Sequence, residues 1–303
     1  MNIEKQMRKL DLFWQYPVIT EKEFYNQNKN NGDYFPFPWA TIIDKKFDEK
    51  RIFYTLKNYI QDKNYYTCCQ HIHFRRLKNL FEKLNIRTLY TSHKIINEDY
   101  LGKIKLISCP LYAVNIEDEG RNEIFKKSNY LDKEREYLYS FMGGYQKQYL
   151  SDIRKQIFKL KKIKENFILD TGDWHFNSIV YDKKQNIKGT LNEKQDHKEK
   201  TKYYNKILLE SKYTLCPSGS GPNSIRFWEA LACGSIPILL SDTLELPEHE
   251  LWGESIIKLK ESEINNLELL LKEIDECEER KRRENCLKLY NYFRNNYRNI
   301  IKI

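Results

Sequence analysis

The chain has 303 residues, 40% hydrophobic and 14% aromatic, with 11 glycines and 8 prolines. That composition excludes a peptide, a disordered chain and a collagen-like repeat, and it fits two ordinary domains or one large one. Lysine and arginine number 52 against 43 acids, a net charge of +9 spread along the whole length; the surplus suits an anionic small molecule, an anionic membrane surface or nucleic acid without choosing among them.

Seven cysteines (68, 69, 109, 216, 233, 277 and 286) include no C-x-x-C, so they read as reduced thiols, several of them core, and not as a zinc clamp or redox pair. The N-terminus, MNIEKQMRKLDLFWQY, lacks a signal-peptide stretch, and no Asn-x-Ser/Thr sequon occurs. No window comes near the ~18 uncharged apolar residues of a membrane span. A soluble, cytoplasmic enzyme is expected, with peripheral membrane contact left open.

In chain order, NQNKNNGD (26–33) is wholly polar and predicts a surface loop. Tyr65 to Cys69 reads as a strand; Leu77, Leu80, Phe81 and Leu84 fall at helical spacing; Ile86 to Thr91 is a second strand, completing a βαβ unit. A further strand, Ile104 to Cys109, closes at Pro110, and the charged stretch 117–136 resembles a linker. The second half restarts with a strand at 137–144 ending in two glycines, a helix from about Ser151 to Lys164 and a strand at 167–169. A polar segment, 182–200, predicts a surface loop long enough to border a cleft. A helix near 199–210, a strand at 213–216, a helix at 224–233 stopped by Gly234 and a strand at 236–240 follow.

From Glu263 to Ile303 the pattern is helical, with Leu267, Leu270, Leu271 and Ile274 on one face and an aromatic-rich end, YNYFRNNY. The alternation predicts an α/β protein of two halves in tandem with parallel sheets. No internal repeat is visible, and the charge runs KKIKEN and ERKRREN read as solvated helix faces.

The most informative stretch is SKYTLCPSGSGPNSIRFWEALACGSIPILLSD (211–242). A strand delivers the chain into Ser218-Gly219-Ser220-Gly221-Pro222-Asn223-Ser224, where glycines let a ligand approach the backbone. A helix then starts at Asn223 or Ser224, both good N-caps, and its free N–H groups suit a phosphate. Arg226 and Glu229 are three apart and share a face: a cation beside the anion site, and a carboxylate suited to ribose hydroxyls. Neither a Walker pattern nor a full G-x-G-x-x-G is present, so phosphate recognition without nucleoside-triphosphatase machinery points to a donor substrate.

The run SKYTLCPSGSGPNSIRFWEALACGSIPILLSDTLELP closely resembles the C-terminal signature of the exostosin-like glycosyltransferases, and FMGGYQKQYLSDIR (141–154) resembles their upstream glycine and arginine segment. QHI (70–72), SHK (92–94) and PLYAVN (110–115) fit looser patterns of the same family. The resemblance implies a glycosyltransferase B fold, two Rossmann-like domains facing across a cleft, and inverting transfer from a nucleotide-diphosphate sugar, UDP-linked by expectation, to a glycan or glycolipid hydroxyl. It divides the chain into an acceptor-side domain (1–128), a donor-binding domain (129–280) and a C-terminal helix (281–303) packing back on the first domain. Carried over by position, residues 218–224 and Arg226 contact the diphosphate, Glu229 the ribose, and Gly143, Gly144 and Arg154 the donor's phosphate side. The membrane anchor and luminal stem of the animal and plant enzymes are not expected here, so their particular sugars are not carried over.

Inverting transfer needs charge stabilisation for the departing diphosphate and a general base for the acceptor hydroxyl. Base candidates lie beyond the carboxyl ends of strands: His71 after the strand ending at Cys69, His93 after the strand ending near Thr91, and Asp44 in PWATIID. Asp170, Asp173, Trp174 and His175 are acceptor- or sugar-side candidates, Trp174 as a stacking surface. No Asp-x-Asp occurs, so no metal site, essential divalent cation or other cofactor is expected. An inactive transferase-like module and a nucleic-acid binder are the competing readings; against the second, basic residues interleave with acids and form no stripe, so no nucleic-acid partner is expected. An epimerase is disfavoured by the incomplete glycine fingerprint.

Overall fold

The computed structural model describes residues 3–16, 18–173 and 195–295. Four short helices precede the first sheet: α1 (Ile3–Lys9), α2 (Thr20–Asn28), α3 (Trp39–Asp44) and α4 (Glu49–Leu56). None was read from the sequence. Helix α4 has a clear local cause, since Asp48 accepts a hydrogen bond from the Lys50 amide at 2.9 Å while Ile52 and Leu56 turn inward.

The first sheet runs β1 (Tyr65–Cys69), α5 (Lys78–Lys83), β2 (Ile86–Thr91), β3 (Tyr100–Leu101) and β4 (Ile104–Ser108). Its spatial order is β1-β2-β4-β3, parallel throughout except for β3, which pairs antiparallel with β4. Every residue of β1 is buried, as expected of a strand covered on both faces.

Helices α6 (Val114–Glu117) and α7 (Glu123–Lys126) lead to the second sheet. This comprises β5 (Tyr137–Gly143), α8 (Ile153–Lys159), β6 (Asn166–Asp170), α9 (Gln195–Glu210), β7 (Ser211–Pro217), α10 (Ile225–Ala232), β8 (Ile236–Leu240), α11 (Trp252–Ser255) and β9 (Ile257–Lys258). Helices α12 (Leu267–Lys272) and α13 (Glu276–Asn295) complete the described chain. All five strands are parallel, in the order β6-β5-β7-β8-β9. The chain therefore leaves β5 for β6 on one side, then returns across it to β7 on the other. At such a switch point the loops leaving the two central strands diverge and open a crevice beyond their carboxyl ends.

Three apolar clusters underlie the sheets, one built on Trp39, Phe81 and Leu89, a smaller one on Phe24, Tyr66 and Tyr90, and one on Phe141, Leu215, Phe227 and Trp228. The sheets are tied on the side where the strands end. Ile95 and Leu244 form an antiparallel bridge, the Ile96 amide donates to Thr243 O at 3.0 Å, and Lys94 pairs with Asp99 at 2.9 Å and with Glu245. Near its C-terminal end α13 meets Glu117, which accepts from Tyr290 Oη at 2.6 Å and pairs with Arg294 Nε at 2.8 Å.

Several expectations are corrected. The polar run 26–33 is not all loop, because its first three residues finish α2, where buried Asn28 donates to Phe24 O at 2.8 Å. The stretch 117–136 is no free linker: Arg135 is buried and donates to Ser211 O and Cys233 O, each at 2.8 Å, which fastens the segment to the core of the second sheet. Helix α8 stops at Lys159, so KKIKEN is a helix-to-strand loop and not a helix face. ERKRREN does lie on α13, but Arg283 within it is buried and bonds Glu279. Of the cysteines, six are buried and Cys277 is exposed, all as free thiols. No helix among the described residues is long and apolar enough to cross a membrane.

Candidate active site

The loop after β7 closes on itself through Gly219 N–H to Gly221 O at 3.0 Å and is fixed at its root by Ser218 N–H to Leu240 O at 2.9 Å. Ser224 takes the extended N-cap conformation but makes no side-chain cap. Asn223 Oδ1 accepts instead from the Ser224 amide at 2.8 Å and from Trp228 Nε1 at 3.2 Å, while its Nδ2 donates to Ser92 O at 2.8 Å. One asparagine thus anchors the start of α10 to the loop after β2.

The arginines converge on this loop from both sides of the switch point. Arg154, on the first turn of α8, donates through Nε to Ser218 O and through Nη1 to Gly144 O, each at 2.9 Å. Its guanidinium lies 4.7 Å from the Tyr149 ring centroid. Arg226, on the first turn of α10, donates to Met142 O and lies 4.6 Å from the Phe141 centroid. Its Nε and Nη1 are buried without a hydrogen-bond partner. Burial, and then the charge of Arg226, pull the Arg154 pKa down to about 10. Among the described residues neither guanidinium has a carboxylate within ion-pair distance. Each buried, unsatisfied donor costs about 1–3 kcal/mol, so Arg226 holds hydrogen-bonding capacity that acceptor atoms would relieve, beside an Arg154 already engaged with two carbonyls.

Glycines make room for it. A Cβ on Gly143 would stand 2.8 Å from Arg226 Nη2, one on Gly219 2.8 Å from Arg154 Nη2, and one on Gly144 2.2 Å from Gly172 O. Glu229, one turn along α10, is buried; its Oε1 accepts from the Asn115 amide at 3.2 Å and its Oε2 from Tyr204 Oη at 2.9 Å. Burial raises its pKa, and the Tyr204 hydrogen bond, the Asn115 amide and Arg226 oppose that rise.

The first sheet meets this loop at Gly221, where a Cβ would stand 2.5 Å from Ile72 Cγ2 and 2.8 Å from His93 Nδ1. His93 is buried with Nδ1 unpartnered, and desolvation pulls its pKa from 6.5 to about 3. His71 and Asp44 come together as a pair, Nε2 to Oδ1 at 2.9 Å, with Gln15 Nε2 on the other carboxylate oxygen. Asp170 and Asp173 are exposed in the turn beside Gly144: Asp170 Oδ1 accepts from the Gly172 amide at 2.9 Å, and Asp173 Oδ1 from Gln146 Nε2 at 3.3 Å. Trp174 and His175 lie outside the described residues. No group of three or more His, Cys, Asp or Glu side chains placed to hold a metal occurs among the described residues. Two cavities, about 340 and 460 Å³, lie along α13 and are lined in part by Glu117, Tyr290 and Arg294, away from the glycine loop.

The family model of the Exostosin GT47 domain matches residues 65–274, a span that contains both arginines, the glycine loop and most of both sheets. The chain belongs to the exostosin GT47 family. It is similar to Exostosin-1 of Mus musculus, 28% identical over 161 residues, which is 50% of this chain and 20% of that protein. Exostosin-1a and Exostosin-1b of Danio rerio are 29% identical over 153 residues and 30% over 162, covering 48% and 50% of this chain and 19% and 20% of the relatives. The match thus spans about a fifth of each relative's length. Asp44 and Gln15 precede the exostosin match, whereas His71 lies inside it. Sequence reasoning missed Gln15 and Tyr204, which no local pattern marks; Asn115 and Tyr149 were open to discovery, since they sit inside the quoted segments 110–115 and 141–154.

Proposed function

We propose that this exostosin-family chain is an inverting glycosyltransferase that takes a sugar from a nucleotide diphosphate, UDP by preference, and passes it to a hydroxyl of a glycan or glycolipid. The observation that carries the reading is the Arg154–Arg226 pair at the switch point, in which Arg226 keeps two buried nitrogens without a partner and, among the described residues, neither guanidinium has a carboxylate within ion-pair distance. A diphosphate supplies acceptor oxygens and negative charge together, and preorganised cations there stabilise it most as it leaves. In this reading the two sheets are the facing halves of a glycosyltransferase B fold, with the donor on residues 129–280, the acceptor on 1–128 and the last helix crossing back. Glu229 is held by Tyr204 and Asn115 in one rotamer, ready to accept from the ribose. Two guanidinium groups and the α10 amides take the role a divalent metal fills in carboxylate-clamped transferases, so transfer is expected to persist in chelator and to need no cofactor.

The test is release of nucleoside diphosphate from a panel of UDP- and GDP-linked hexoses by dialysed protein in excess EDTA. Slow release from one donor, accelerated by a glycan acceptor, supports the reading. No release from any donor, or activity abolished by EDTA and restored stoichiometrically by Mn²⁺, overturns it or its metal-free form respectively.

A further inference from the structure

The loop after β1 carries a half-hidden histidine–aspartate pair one residue from the contact of Ile72 with the glycine loop. His71 Nε2 and Asp44 Oδ1 are 2.9 Å apart, and both side chains are 11% exposed. His71 Nδ1 accepts from the His73 amide at 2.9 Å, so the neutral ring carries its hydrogen on Nε2 and its lone pair on Nδ1. Asp44 is held on its second oxygen by Gln15, whose carbonyl oxygen in turn accepts from Gln70 Nε2 at 3.3 Å. Such a carboxylate, fixed by two donors, orients an imidazole and stabilises its protonated form. The next residue, Ile72, packs on Gly221, which sets the pair at the junction of the two sheets.

We infer that His71 is the general base for the acceptor hydroxyl and that Asp44, fixed by Gln15, is its positioning residue. This rests on the transferase reading above. As the acceptor arrives, its O–H replaces the His73 amide as the donor to Nδ1. The acceptor oxygen bonds to the anomeric carbon as the bond from that carbon to the phosphate oxygen breaks. The proton passes to Nδ1, the Nε2–H stays on Asp44, and the electron pair leaves with the diphosphate onto Arg154 and Arg226. His93 does not compete: buried, with its pKa held far below neutrality, it is a poor proton acceptor whatever its closeness to Gly221. Among the described residues, His73 and His93 interact directly with His71, Glu21 on α2 with Asp44, Arg76 with His73 and Arg75 with His93.

The experiment uses the full chain, the donor found in the release assay, and UDP or GDP binding by calorimetry. His71→Ala should lower kcat about 10²–10⁴-fold, leave nucleoside diphosphate affinity within threefold, and recover part of its rate in added imidazole. Asp44→Asn should lower kcat about tenfold or more and move the acid limb of the kcat–pH profile to lower pH, because the protonated ring loses its carboxylate. That displacement is a response a purely structural role would not give, and it keeps the inference testable if His71→Ala folds poorly. Retention of a tenth or more of kcat in His71→Ala, or an unmoved pH profile in Asp44→Asn, overturns the assignment while leaving the transferase reading intact. No turnover of any donor by the wild type overturns both.

Discussion

The two walls at Gly221 are built on opposite principles. On the second sheet, among the described residues, the guanidinium groups of Arg154 and Arg226 donate hydrogen bonds to backbone carbonyls and lie against aromatic rings, and Arg226 keeps two buried nitrogens without a partner. On the first sheet every polar atom of His71 and Asp44 is engaged: Nε2 on the carboxylate, Nδ1 on the His73 amide and the second oxygen on Gln15. The first wall carries a surplus of donors and therefore calls for an anion that brings acceptors. The second is saturated, so it works only by exchanging one partner for another. In the transferase reading proposed above, the first wall would hold the charged carrier and the second would take the proton of the hydroxyl.

The most damaging way to break the cationic wall is Gly144→Ala. The new Cβ would lie 2.2 Å from Gly172 O and 2.6 Å from Gly172 C, backbone atoms that cannot rotate away. We expect a loss of about 3 kcal/mol in urea unfolding, at the top of the overpacking range, together with weakened nucleotide binding. Wild-type stability would mean that the turns at 143–144 and 171–173 are not held against each other.

The junction is probed through His93. Its pKa falls from 6.5 to about 3 through burial, so the unfolded chain binds a proton there at a higher pH than the folded one. Its stabilising contribution is complete above pH 6.5 and declines as the pH drops from 6.5 towards 3. The expected loss between pH 6.5 and 5 is about 2 kcal/mol, and His93→Gln should flatten that part of the stability–pH curve. An unchanged slope would show that His93 is not the group responsible.

Tyr204→Phe sharpens the donor wall at the lowest cost. Removing the hydroxyl takes one of the two donors from buried Glu229, for an expected loss of about 1 kcal/mol. The loss should be accompanied by a smaller affinity advantage of a ribonucleotide over its 2′-deoxy analogue. An advantage equal to that of the wild type would remove Glu229 from ribose recognition.

The donor wall was legible because its parts are local. Strand, glycine loop, helix start and Arg226 fall within 211–242 and are grouped by spacing, whereas Gly143, Gly144 and Arg154, within 141–154, were joined to them through the resemblance to the exostosin-like family. The proton wall was only half legible. Asp44 and His71 stand 27 residues apart on different elements, and each was a separate candidate; nothing in either segment announces that α3 and the loop after β1 bring them within a hydrogen bond. Gln15, 29 residues from Asp44, carried no signal at all. The sheets were read because buried parallel strands are continuous apolar runs, whereas α1 to α4 were missed because short helices packed by scattered aromatics show little periodicity. The stretch 117–136 misled through its charge: Arg121 and Arg135 are buried there, and their hydrogen bonds to distant atoms are invisible in composition.

The central claim is that Arg154 and Arg226 form the diphosphate site of this exostosin-family chain. Calorimetric titration with UDP and GDP of the wild type, Arg154→Ala and Arg226→Ala measures it directly. The account predicts that the wild type binds one of the two and that each substitution weakens that binding at least tenfold, the scale of a charge-assisted hydrogen bond worth about 1.5–3 kcal/mol. Affinity unchanged in both variants would contradict it.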